Sequence, residues 1–362
     1  MLTHVLPGML NWLLLFAPLA VVLEHLAPER PLWIFAASAL AIVPLAGWMG
    51  HATEQLAART GEGVGGLLNA TFGNAAELII ALAALRAGLH EVVKASLAGS
   101  IVGNILLVLG AAMLAGGLRH RPEQHFNAPG ARSQATMLTL AAIALILPAA
   151  YQRVGALPEL PALSLWISLV LIGVYAANLV FSLGTHRALF AGSPTEDDGG
   201  HVASWSTARA GLVLAGATAA IAWMSEILVG ALEPATHALG LNDVFVGVFV
   251  VAILGNAAEH ATAVTAALKN RMDLSLSIAI GSSVQVALFV APLLVLASYA
   301  VGPVPMDLAF GGGLVLSVLL AVLITGQVAG DGRSDWLKGI QLLAVYLILG
   351  LAFFFAPSTP PR

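Results

Sequence analysis

Apolar residues in this chain fall in long uninterrupted blocks, and none alternates with the period of two that a half-buried strand shows. Eleven blocks can be marked, at 6–24, 31–50, 63–87, 91–117, 133–151, 161–184, 207–231, 241–268, 273–300, 306–325 and 336–355. A helix of about 20 apolar residues crosses the hydrocarbon core of a bilayer, whereas a membrane strand needs about ten residues of alternating character. The pattern predicts an all-α integral membrane protein with eleven transmembrane helices. Breaks fall where proline, glycine and charge gather: Ala27-Pro28-Glu29-Arg30-Pro31, His120-Arg121-Pro122-Glu123, Pro158-Glu159-Leu160-Pro161, Pro303-Val304-Pro305 and Gly330-Asp331-Gly332-Arg333.

Composition agrees. The 362 residues are 59% hydrophobic and only 9% charged, with mean hydropathy +0.92, where soluble proteins carry about 25% charge. A net charge of −4 gives no basic surface for nucleic acid. The absence of cysteine excludes disulfides and thiolate chemistry. The first block lacks a basic start and a small-residue cleavage site, so it reads as a retained span. Of the 15 Lys and Arg residues, an N-terminus in the cytoplasm puts ten on the cytoplasmic side and five on the other. The positive-inside rule therefore predicts N-terminus in and C-terminus out.

One stretch occurs twice. Gly73-Asn74-Ala75-Ala76-Glu77 returns as Gly255-Asn256-Ala257-Ala258-Glu259, 182 residues later. The same offset pairs Gly99-Ser100 with Gly281-Ser282, Val102 with Val284, and Ala81 and Ala84 with Ala263 and Ala266. Internal repetition reorganises the whole reading. The copies lie on the third and eighth spans, so the units are 31–184 (spans two to six) and 207–362 (spans seven to eleven). Residues 1–30 form an extra N-terminal helix, and 185–206 a cytoplasmic acidic linker. Trp48-Met49 and Trp223-Met224 fit this phase. Five spans is an odd number, so the second unit enters the membrane from the opposite side. Inverted repeats are a transporter architecture with the site at the midplane.

The chemistry lies in the repeated stretch. A carboxylate at membrane depth costs about 2.5–3.5 kcal/mol even on the lenient insertion scale, and marks a functional site by default. Glu77 and Glu259 are the expected ion-binding and proton-coupling groups. Gly73 and Gly255, about one turn earlier, each allow a kink that frees backbone carbonyls, or else close helix packing. Asn74 and Asn256 share a helix face with the acids. The next spans add Ser100 and Asn104, then Ser282, Ser283 and Gln285. Two carboxylates with amide, hydroxyl and carbonyl oxygens form a hard-cation set, best matched to Ca²⁺ with its six to eight oxygens. His260 points about 100° around the helix from Glu259, a structural or access-path position. Glu54 and Glu226 are expected near opposite ends of the pathway, where acids draw cations in. The linker segment Glu196-Asp197-Asp198-Gly199-Gly200-His201 reads as a solvated connection.

These residues resemble a known family, the cation/proton exchanger (CAX) branch of the calcium/cation antiporter superfamily. The segments that carry the likeness are Ala70 to Ile79, Gly99 to Asn104, Gly255 to His260, and Lys269 to Gln285. The resemblance implies that Glu77 and Glu259 bind Ca²⁺ and exchange it for protons, assisted by Asn74, Asn256, Ser100, Ser282 and Gln285. The sodium/calcium branch has proline before each motif glutamate and an aspartate on the following helix. This chain has Ala76 and Ala258 there and no acid in the fourth span past Glu91 at its first position, which argues against sodium coupling.

The expected function is a secondary antiporter, not an enzyme. Burial favours a protonated carboxyl and a bound cation favours the ionised form, so one site holds either Ca²⁺ or protons. Two protons against one Ca²⁺ is the electroneutral minimum. No cofactor is expected. The expected partners are Ca²⁺, H⁺ and the lipid bilayer, not nucleic acid, and a homo-oligomer stays open. The expected location is a prokaryotic inner membrane. Alternatives are an antiporter for Na⁺, K⁺ or Mn²⁺ on the same fold, a channel, and a metal-dependent hydrolase. The last would want an H-E-x-x-H spacing, which does not occur.

Overall fold

The structure is a computed structural model and describes residues 11–60, 62–155, 159–186 and 204–356. Its helices in chain order are α1 (Asn11–Leu26), α2 (Pro31–Thr60), α3 (Glu62–Phe72), α4 (Ala75–Arg86), α5 (His90–Arg119), α6 (Ala128–Arg153), α7 (Leu160–Thr185), α8 (Thr207–Leu239), α9 (Asp243–Leu268), α10 (Met272–Val301), α11 (Gly312–Val328) and α12 (Trp336–Phe354). Eight of these are long and apolar enough to cross a membrane by length and composition. The first and tenth predicted spans correspond to the shorter helices α1 and α11, and the third is divided into α3 and α4. The acidic segment 196–201 and the start of the first predicted span lie outside the described residues.

α5 is the centre. Every residue from Val92 to Leu106 is buried, as a helix enclosed on all sides requires. Its most apolar window is 72% buried, against 22% in α7 and α12, which lie at the outside of the helix assembly. The main core joins α5 to the C-terminal half of α4, to α6, and to α9 through α12. A second apolar cluster, including Ala20, Ile34, Ile42, Met224 and Leu228, binds α1, α2 and α8 to one another. α2 and α8 have 30 and 33 residues. At about 1.5 Å per residue both exceed the hydrocarbon thickness. They do so because helix-forming Ala, Leu and Gln residues continue α2 to Thr60, past the apolar block that was expected to stop at 50.

One predicted helix start is corrected. The block 306–325 was read as helix throughout, but α11 begins at Gly312. Met306, Leu308 and Phe310 are buried in a non-helical connection. Their hydrophobicity reported burial and not helicity, and Pro303, Pro305 and Gly311 work against a helix there. The connection is held from outside itself. Ser298 Oγ accepts from Met306 N at 2.8 Å, Ser164 Oγ accepts from Leu308 N at 2.9 Å, and Lys94 Nζ donates to Ala309 O at 3.0 Å and to Asp307 Oδ1 at 2.9 Å. Lys94 is one of the five basic residues that the charge count placed on the non-cytoplasmic side. It is 4% exposed inside α5.

At the other end of α5, a two-residue antiparallel pairing joins Gln124–His125 to Arg333–Ser334. Buried Gln124 donates to Ala267 O and to Asn270 Oδ1, both at 2.9 Å. This ties the α5–α6, α9–α10 and α11–α12 connections together.

Candidate ion-binding site

The first motif copy breaks its helix. α3 closes with Gly73 N donating to Asn69 O at 2.8 Å, and α4 starts at Ala75. Asn74 stands between them at φ −100° and ψ 21°. Asparagine is a favoured N-cap because its side chain can accept from the first turn, but Asn74 makes no such bond. Its side chain turns inward instead. Glu77 lies in the first turn of α4, at the positive end of a half-helix.

The second copy behaves differently. α9 runs unbroken as α-helix from Ala252 through Leu268, with a π-helical turn at Val246–Val251 before it. The kink expected at Gly255 is absent, because Gly255 serves packing: a Cβ there would lie 2.6 Å from Glu77 Cγ. Glu259 is thus a mid-helix residue, where Glu77 is a helix-start residue.

The following helices carry matched irregularities. α5 contains a π-helical segment at Gly103–Val108, and α10 one at Val286–Val290. At the 182-residue offset these begin within one residue of each other. Such π segments cluster at functional sites. Here the first includes Asn104, and the second follows Gln285.

Four of these helices meet around Glu77. Ser100 Oγ and Asn256 Nδ2 both donate to Glu77 Oε1 through short hydrogen bonds. Asn256 Nδ2 also reaches Ser100 Oγ at 3.1 Å and Ala252 O at 3.0 Å. A chain of bonds then crosses the molecule. Asn74 Nδ2 donates to Gln285 Oε1 at 2.6 Å, Ser282 Oγ to Asn74 Oδ1 at 2.8 Å, and Asn104 Nδ2 to Ser282 Oγ at 3.1 Å. His260 Nε2 lies 3.1 Å from Asn104 Oδ1. Glu259 borders the same chain: a Cβ built on Gly73 would lie 3.5 Å from both Glu259 Oε1 and Gln285 Oε1. Glu77, Asn74, Ser100, Asn104, Asn256 and Ser282 are all at most 8% exposed, so water cannot substitute for these bonds. Two acceptors are left over: Glu77 Oε2 and Glu259 Oε2 are buried with no hydrogen-bond partner. A recess beside Glu77 is lined by Ile80, Ala81, Ser96, Leu97, Val251 and Ala252.

Seven of the expected side chains gather with the two glutamates: Asn74, Asn256, Ser100, Asn104, Ser282, Gln285 and His260. Ser283 does not. Its hydroxyl donates to Ala279 O at 3.0 Å and lies 3.5 Å from Ile101 O. Glu54 and Glu226 are outside the cluster, each more than half exposed. Glu54 is 3.8 Å from His51, and Glu226 is 3.3 Å from Arg86. Ser96, four residues before Ser100 and so on its face, lines the recess but donates its hydroxyl to Val93 O at 2.9 Å. Among the described residues no group of three or more His, Asp or Glu side chains gathers to hold a metal. The donor set is two carboxylates with neutral oxygens.

The chain matches the sodium/calcium exchanger protein family over residues 30–184 and 210–355. It is 48% identical to a Ca²⁺/H⁺ antiporter of Synechocystis sp., over 96% of this chain and 97% of that one. It is 42% identical to the Ca²⁺/H⁺ antiporter ChaA of Bacillus subtilis, over 89% and 92%. Its fold is similar to the crystal structure of the Ca²⁺/H⁺ antiporter protein YfkE, with TM-score 0.82 at 38% identity, covering 97% of this chain and 99% of that one.

Proposed function

The chain belongs to the sodium/calcium exchanger protein family, and we propose that within it this multi-pass membrane protein exchanges Ca²⁺ for H⁺, with Glu77 and Glu259 as the groups that hold either ion. One observation carries the assignment. Each motif glutamate keeps a buried carboxylate oxygen with no partner in the protein. A buried carboxylate oxygen without a donor is costly. Either a proton or a divalent cation removes that cost, and the two cannot be held there together. The site is therefore stable when loaded with Ca²⁺ or with protons and unstable when bare, which suppresses futile switching between the two sides.

The surrounding groups have separable tasks. Ser100 and Asn256 hold Glu77 Oε1 and leave Oε2 free for the exchanged ion. Asn74, Ser282 and Gln285 offer neutral oxygens, suited to the flexible coordination that Ca²⁺ accepts. The relatives named as Ca²⁺/H⁺ antiporters support this choice of ions. Residues 31–184 and 207–362 act as two inverted units joined by 185–206, with α1 added ahead of the first unit. The N-terminus is cytoplasmic and the membrane is the prokaryotic inner membrane. Alternating access comes from rearrangement between units around a site that both build.

The test is Ca²⁺ uptake into sealed inside-out vesicles with an acidic interior, with and without an uncoupler. Wild-type uptake collapses with the uncoupler, and Glu77→Gln and Glu259→Gln each abolish it. Retained proton-driven uptake in either variant overturns the assignment.

A further inference from the structure

Gly73 and Gly255 open the two motif copies, yet only Gly73 stands at a helix break. Kinking therefore does not account for both. Their surroundings share something else. A Cβ on Gly255 would lie 2.6 Å from Glu77 Cγ and 3.5 Å from Glu77 Cα and Cβ. A Cβ on Gly73 would lie 3.5 Å from Glu259 Oε1, 3.5 Å from Gln285 Oε1, and 2.9 Å from Asn69 O of its own turn. Each glycine faces the glutamate of the other copy. Glu77 is not free to give way, because Ser100 and Asn256 pin its carboxylate.

We propose that Gly73 and Gly255 are positioning and size-setting residues: each is the seat on which the opposite copy's glutamate rests, and together they fix how large a cation the two carboxylates can close on. This rests on the exchange reading above. At Gly255 the missing Cβ lets α9 approach α4 until Glu77 lies along its backbone. At Gly73 it leaves a face of Glu259 Oε1 and Gln285 Oε1 uncovered. A methyl group at van der Waals distance from both oxygens would cover that face. Ca²⁺ needs oxygens at about 2.3–2.6 Å and many of them, so it loses more than a smaller divalent ion from the same obstruction. The duplicated glycine is then a specificity device built once for each carboxylate.

The experiment uses the full chain in proteoliposomes with an acidic interior, measuring uptake of Ca²⁺ and of Mn²⁺ separately, with thermal unfolding as a check on folding. Gly255→Ala is expected to raise the KM for Ca²⁺ about tenfold, the weight of one charge-assisted hydrogen bond lost at Glu77. Gly73→Ala is expected to move the Mn²⁺-to-Ca²⁺ ratio of kcat/KM toward Mn²⁺. Gly103→Ala is the control. It adjoins Asn104, but its Cβ would meet nothing within 4 Å, and both quantities should stay at wild-type values. Folded Gly255→Ala and Gly73→Ala proteins with wild-type KM and ion ratio overturn the inference while leaving exchange intact. Equal losses for Mn²⁺ and Ca²⁺ in both variants, or the same losses in Gly103→Ala, also overturn it. If Gly255→Ala does not fold, the ratio in Gly73→Ala decides. A wild-type protein with no proton-driven uptake of either ion defeats the exchange reading and this inference with it.

Discussion

Asn256→Ala isolates what one neutral side chain contributes to a buried carboxylate. Asn256 Nδ2 donates to Glu77 Oε1, and the residue is 2% exposed, so no bulk water replaces it. A hydrogen bond to a charged group is worth about 1.5–3 kcal/mol, and a neutral one about 0.5–1.5 kcal/mol. Under the proposed exchange, holding Ca²⁺ requires ionised Glu77, whereas holding a proton neutralises it. The two loaded states therefore lose different amounts, and the Ca²⁺-loaded state loses about 1–1.5 kcal/mol more. At 1.4 kcal/mol per factor of ten, the KM for Ca²⁺ should rise by about five- to tenfold. Fold stability changes less than for a core truncation, because Asn256 fills little apolar volume. The assay is initial Ca²⁺ uptake against Ca²⁺ concentration at one fixed proton gradient. An unchanged KM in folded Asn256→Ala protein would show that Asn256 does not support the Ca²⁺-holding form, and the reasoning about Glu77 Oε1 would be wrong.

Other outcomes follow from contacts away from that pair. Ser283→Ala should leave the KM for Ca²⁺ unchanged, since its hydroxyl proton is spent on Ala279 O; a rise comparable to that of Asn256→Ala would return it to the site. Lys94→Met should destabilise the protein by about 3 kcal/mol by stranding Asp307, read as thermal unfolding in detergent. Lys94→Met/Asp307→Asn should recover most of it, because the asparagine keeps the oxygen that accepts from Ala309 N; no recovery would refute charge stranding as the cause. Gln124→Ala should cost about 2 kcal/mol through two lost bonds, and a loss below about 0.5 kcal/mol would mean that Gln124 does not tie the three connections. At Asp331, outside the spans, partial desolvation acts upward, but the hydrogen bond and charge of Lys338 outweigh it and hold the carboxyl below its ordinary 3.8. Its stabilisation is present above that value and lost as pH falls through the lower folded value, so the acid unfolding curves of wild type and Lys338→Met should converge at low pH.

The candidate cluster was legible where chemistry is expensive. Glutamate and asparagine at membrane depth stand out against an apolar background, and the 182-residue register marked Ser100 and Ser282 as their companions. What was not legible is context. Two identical pentapeptides gave a broken helix at Gly73 and a continuous one at Gly255. What distinguishes them is what packs against each glycine, a tertiary fact. Lys94 looked like one more non-cytoplasmic charge, because counting charges cannot reveal that Asp307 waits 213 positions away. The run from Met306 to Phe310 was hydrophobic enough for a helix, but periodicity cannot separate a buried connection from the first turn of a span.

The connection between α10 and α11 also bears on how the protein is made. The side chains that satisfy it come from α5, α7 and α10, through Lys94, Ser164 and Ser298. All three leave the ribosome before residue 306, so the nascent connection arrives in a membrane that already holds its anchors. Synthesised without the first half of the chain, the second half would retain Ser298 but lack the hydroxyl for Leu308 N and the ammonium for Ala309 O. The closing of α11 and α12 thus depends on groups made earlier in the chain.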